Sequence, residues 1–275
     1  MEYSIAHRLC RDQRQARGSD VMGEIPKYFH FAYEEQMEAY KKVIPCPDAI
    51  IKCYKEYEGK IRIPDLLGKT VRVTEYQIPD LYARVRRIAE KTGIETPDVF
   101  LYEDFYYGVQ AKGLIIPRIE ISAKTVTDFN EDEFDFLLAR EMCRIKHDMI
   151  KWTLAGEQYF SMVEKIDRIP GVDTLSKTFQ LVYANWRRVA DYSADCYGYD
   201  VVRDIRPCVR AILTLVLNNI ALAKQVNIRE YIAQAQDIYQ LDDVVYRYSE
   251  NDEKVPYGPL RIKTLLAYAA KGVMN

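Results

Sequence analysis

Two short runs of charged residues carry the chemical possibilities of this chain. In Phe134–His147, FDFLLAREMCRIKH, Arg140 and Arg144 stand four apart with Glu141 between them. In Arg187–Gly198, RRVADYSADCYG, Asp191 and Asp195 repeat that spacing. Residues four apart share a face of a helix, so each pair projects together. A guanidinium is a planar fork of donors that stays protonated and matches a carboxylate bidentately. Two arginines and two aspartates so arranged are suited to ion pairing, and Glu141 is chemically capable of acid–base work. Metal binding by histidine is limited by supply, because the chain holds only His7, His30 and His147.

The rest of the composition narrows the class. The 275 residues are 48% hydrophobic and 29% charged, the balance of an ordinary globular domain and not of a disordered chain. Lys+Arg of 39 against Asp+Glu of 41 leaves a net charge of −2, which argues against general affinity for nucleic acid or anionic membrane. The six cysteines are dispersed and form no C-x-x-C pair, so a secreted disulfide scaffold is not indicated. The N-terminus lacks the apolar core of a secretory signal, and Val209–Ala223 is too short and too polar to span a bilayer. A soluble, cytoplasmic protein with reduced thiols is expected.

The elements that must position the charged pairs can be read from periodicity. Residues 1–27 form an N-terminal arm in which Arg8, Arg11, Arg14 and Arg17 recur every third position. Phe29–Val43 is helical until Pro45, and a short helix is expected over Pro47–Tyr57. Thr70–Tyr76 alternates as a strand, Pro79–Thr92 is an amphipathic helix capped by Gly93, and Val99–Tyr102 is a short strand. Tyr107–Lys112 and Leu114–Ser122 complete a sheet of three or four strands within about 70–122. Beyond Asn130 and Glu133, a capping-box start, helices are expected over 131–154, 173–203, 206–225, 228–248 and 258–271. A small sheet followed by a helical lobe is α+β, mostly α.

The spacing of Arg140, Glu141 and Arg144 is that of the zincin motif H-E-x-x-H, in which two histidines bind zinc and the glutamate activates water. With Ala194 before Asp195, the later run resembles the E-x-x-x-D motif of gluzincin peptidases of the CAAX prenyl protease and HtpX heat-shock protease type. Phe29–Ile51 resembles the lead-in helix of that family, and Tyr76–Tyr82 the start of the helix before its sheet. Tyr107–Ser122 is similar to its edge strand and next strand, and Pro259–Leu265, PLRIKTL, to its C-terminal segment. The resemblance spans about 28–270 and implies a zincin-like metallopeptidase domain over 28–275.

It also implies roles. Glu141 stands at the general-base position, Arg140, Arg144 and Asp191 at the three zinc-ligand positions, and Asp195 beside them. Tyr107, Val109, Gln110 and Ala111 lie on the cleft edge, where the active family captures an extended peptide by strand addition. Arginine offers no lone pair to a cation, so zinc, the family's cofactor, is expected to be absent. No other cofactor is implied. Zinc with three carboxylates leaves a charge of −1, and two arginines with Glu141, Asp191 and Asp195 leave the same. A salt-bridge cluster is therefore expected where the metal would be. A relocated metal site of Cys143, His147 and Asp191 is the less favoured arrangement, because Cys143 is offset by one residue from the ligand face.

The function these features suggest is that of a degenerate pseudopeptidase, which binds a still unknown peptide or protein partner in the old cleft. The alternatives are an active metalloendopeptidase with a non-standard site, or a protein that grips an anionic ligand with Arg140 and Arg144. An interaction through the Arg8–Arg17 arm is a further possibility.

Overall fold

A computed structural model describes residues 26–163, 172–240 and 256–273. The arm, with His7 and Arg8–Arg17, lies outside the described residues. The described part begins with α1 (Tyr33–Val43) and α2 (Pro47–Tyr57), then a single π-helical turn (Glu58–Arg62) and α3 (Ile63–Lys69). Next come β1 (Val71–Val73), α4 (Pro79–Thr92), β2 (Asp98–Tyr102), β3 (Val109–Lys112), β4 (Arg118–Ser122) and α5 (Ala123–Asp128). The helical part holds α6 (Glu131–Lys146), α7 (Met149–Val163), α8 (Val172–Val202), α9 (Ile205–Leu217), α10 (Ile220–Ala223), α11 (Ile228–Gln240) and α12 (Gly258–Val273). The architecture is α+β, mostly helical.

The four strands form one mixed sheet in the order β1-β2-β4-β3. β2 and β4 are parallel, with Phe100 opposite Glu120, and the outer strands β1 and β3 are antiparallel to their neighbours. β3 is thus an edge strand. Ile119 and Ile121 of β4 are fully buried in the main core with Val85, Ile88, Leu137 and Leu138. The alternate residues of β4, Arg118 and Glu120, are buried too, so its other face is also covered.

Helix α6 is the centre of the molecule. Its start is fixed by a reciprocal capping box, in which Asn130 Oδ1 accepts from the Glu133 N–H and Glu133 accepts from the Asn130 N–H. Every residue from Glu133 to Arg144 is buried. An amphipathic helix would bury one stripe; this one has α8, α9, α4 and β3 around it, so its charged residues are enclosed as well. Its pairing with α8 is the most extensive among the described elements. The two helices are in close contact at Gly198, where a Cβ would lie 2.7 Å from the Phe136 ring and 3.0 Å from its carbonyl oxygen. On the far side of α8, α1 is seated by Tyr40, whose ring stacks on Trp186 at 5.1 Å and whose hydroxyl donates to the Trp152 carbonyl.

Several boundaries differ from those read in the sequence. The helix expected over 131–154 is two helices, because Asp148 adopts φ 51° and turns the chain between α6 and α7. The helix expected over 206–225 breaks at Asn218, φ 48°, and restarts at Asn219, whose side chain caps α10. Aspartate and asparagine tolerate this left-handed region, so neither break carries a glycine or proline. The strand expected over Thr70–Tyr76 is reduced to β1. The two expected over Tyr107–Lys112 and Leu114–Ser122 shrink to β3 and β4. The turn between them is held by side chains and not by the ladder. No helix among the described residues is long and apolar enough to cross a membrane.

Candidate functional site

Helices α6 and α8 bring Arg140, Glu141, Arg144, Asp191 and Asp195 into one buried network. The Arg140 Nε donates to Asp195 Oδ1 at 2.8 Å and its Nη2 to Asp191 Oδ1 at 3.2 Å. Arg144 forms a close ion pair with Asp191 through Nη2. Glu141 Oε1 lies 3.3 Å from Arg140 Nη1 and 3.4 Å from Arg144 Nε. Its other oxygen, Oε2, accepts the Ala111 backbone N–H at 2.8 Å. The Ser122 N–H donates to the Gly108 carbonyl, and antiparallel alternation therefore turns the Ala111 N–H away from β4, toward α6. Arg140 and Arg144 are the most open members of the network, at 7% and 8% exposure.

A sixth member was not singled out in the sequence. Arg261, on the first turn of α12 and 2% exposed, donates from Nε to Asp195 Oδ2 and from Nη2 to Oδ1, both at 2.8 Å. Three guanidiniums now face three carboxylates, and the network is neutral. The signal for Arg261 was the residual −1 left by two arginines against three carboxylates: such a charge is costly in a dry seam and calls for another cation.

Electrostatics follow the geometry. Burial pushes the Asp195 carboxyl up, but Arg261 and Arg140 outweigh it and hold it below the usual carboxylate range. Burial works against the charge of Arg140 too, yet Asp195 and Glu141 raise it overall. Burial lowers Arg144 to about 10, which leaves it protonated at neutral pH.

The remaining candidates lie elsewhere or are differently engaged. The His147 ring hydrogen-bonds the Tyr28 hydroxyl at 2.7 Å, and burial lowers it to about 4. Cys143 is fully buried and its thiol is pushed up to about 12, far from the thiolate a metal ligand requires. The His30 ring packs against Phe31 and Tyr192. Of the cleft-edge residues, Val109, Gln110 and Ala111 lie on β3. Tyr107 precedes it, with its N–H on Asn218 Oδ1 and its hydroxyl on Asp128.

Zinc would need three or four nitrogen, sulfur or oxygen ligands. Asp191 Oδ2 is buried with no hydrogen-bond partner and could be one such atom. The neighbouring positions carry guanidiniums, and each carboxylate there is already matched by a cation. Among the described residues no group of three or more His, Cys, Asp or Glu is disposed to hold a metal. The residues present do not fit zinc.

The arrangement defines a class: a small mixed sheet with an edge strand beside two long helices, their seam closed by an arginine–carboxylate network. No family model matches the chain, and no curated protein does. Among solved structures, the crystal structure of Ste24p from S. mikatae is similar, with a TM-score of 0.50 and 15% identity, over 85% of this chain and 63% of that one. The likeness is one of fold. This chain spans under two thirds of the length of Ste24p.

Proposed function

We propose that this protein is a catalytically silent, metallopeptidase-like relative of the CAAX prenyl protease type, and that it acts by holding a peptide or protein partner at the former cleft. The commitment of Glu141 carries this reading. A general base needs a free carboxylate oxygen beside an activated water. Here one oxygen faces two guanidiniums and the other holds the β3 backbone. Such an arrangement ties the helix to the strand and engages both oxygens of the carboxylate at the general-base position. Strand β3, at the sheet edge, is the element by which an extended partner would be recognised.

The anionic-ligand alternative draws no support from the geometry, because Arg140 and Arg144 are buried and engaged with carboxylates. The active-peptidase alternative lacks a ligand set among the described residues. Purified protein should be dialysed against zinc, its metal content measured, and casein cleavage followed with and without chelator. Neither stoichiometric zinc nor chelator-sensitive cleavage is expected. Cleavage that the chelator abolishes would sink the proposal.

A further inference from the structure

The chain that follows the edge strand is attached in an unusual way. Residues Gly113–Pro117 join β3 to β4, and the first N–H groups past Gly113 do not bond to backbone. The Leu114 N–H and Ile115 N–H both donate to Glu58 Oε2, at 2.8 and 3.0 Å. The other oxygen of Glu58 takes the Arg118 guanidinium. Glu58 is 0% exposed and begins the π-helical turn. Arg118, 1% exposed, also donates to Glu120, which Lys112 and Arg62 reach from the rim. Gly113 makes the turn possible: its φ is 93°, and a Cβ would meet the Ile116 carbonyl at 2.2 Å and Glu58 at 3.1 Å.

Leu114 packs against the second hydrophobic cluster, to which α1, α2, α6, α7 and α8 all contribute. Three residues before Leu114, the Ala111 N–H is held by Glu141. One buried glutamate therefore fastens the edge strand and another fastens the turn beyond it. An extended peptide adding to β3 would compete with Glu141 for the Ala111 N–H and would run toward Leu114 at the other end.

We propose that the β3–β4 hairpin is an autoinhibitory strap, latched by the Glu58 carboxylate and anchored by Leu114, that keeps the former cleft closed to an extended peptide. This rests on the partner-binding reading and adds its regulation. The strap is fastened by side chains over a half-buried turn, so it can open locally while the sheet and the α6–α8 seam stay intact.

The test compares the full chain with Glu58→Gln, which weakens the latch, and Leu114→Ser, which removes the anchor and leaves the ionic cluster untouched. Amide hydrogen exchange over 113–116 reads the strap. Fluorescence anisotropy of a labelled, unstructured casein peptide reads the cleft. The expected result, in either variant, is exchange at least about tenfold faster together with peptide affinity at least about tenfold tighter. Wild-type exchange rates in both variants would overturn the latch and leave the partner-binding reading standing. Faster exchange without tighter binding would overturn both.

Discussion

The pair of Asp195 and Arg261 offers the sharpest test of the charge network. Asp195 accepts three hydrogen bonds, one from Arg140 and two from Arg261, at 2.8 Å each, and is 1% exposed. Asp195→Asn keeps the shape but leaves two buried guanidiniums sharing one neutral acceptor, with the network at +1. Arg261→Met leaves it at −1. Removing one partner of a buried ion pair costs about 3–5 kcal/mol. At about 2.1 cal/mol/K per residue the unfolding entropy of this chain is near 0.6 kcal/mol/K, so each single variant should lower Tm by roughly 5–8 °C. The double variant restores neutrality and removes both costly orphans. It should be less destabilised than the singles combined, by about 2 kcal/mol or more. Thermal unfolding of the four proteins by circular dichroism gives the cycle directly. Strictly additive losses, or single variants within about 1 kcal/mol of wild type, would refute the idea that these charges are coupled in a dry seam.

Other outcomes follow from the same geometry. Arg140→His, Arg144→His and Asp191→Glu combined should convert the seam into a zinc site with Glu141 beside it; elemental analysis that finds no stoichiometric zinc would count against the assignment of those positions. The pH dependence has a definite sign in two windows. The folded-state value of His147, about 4, lies below its ordinary 6.5, so the stability it contributes is complete above pH 6.5 and is lost as pH falls toward 4. For a partly exposed ring this amounts to about 2 kcal/mol, and His147→Gln should flatten Tm across that window. Asp195 is held low, so its contribution is present above about pH 3.9 and disappears under stronger acid; Asp195→Asn should remove that acid limb. Gly198→Ala should cost about 1–3 kcal/mol in urea titrations, since the new methyl would push α6 and α8 apart at Phe136.

The sequence was most legible where local spacing and tertiary placement agree. Asp191 and Asp195 repeat the i, i+4 spacing of Arg140 and Arg144, and the structure has all four on facing helices of one buried seam. The capping box at Asn130 and the Gly93 cap were readable because each is settled within a few residues. The breaks at Asp148 and Asn218 were not, because a single left-handed residue of a permissive type carries no punctuation. The strands came out too long because β-branched runs mark extended chain, while pairing depends on distant partners. Glu58 was illegible for the same reason. Within EYEGKIR it has the company of a solvated charge, and its burial depends on Arg118, sixty positions later. Arg261 lay between these cases. Its position is equally remote, and the −1 left by the nearer residues equals that of a zinc site with three carboxylates, so it was read as balanced although an enclosed net charge is costly and favours a further cation. Charge balance over a buried site, read together with the C-terminal segment PLRIKTL, therefore points to Arg261 as the missing cation.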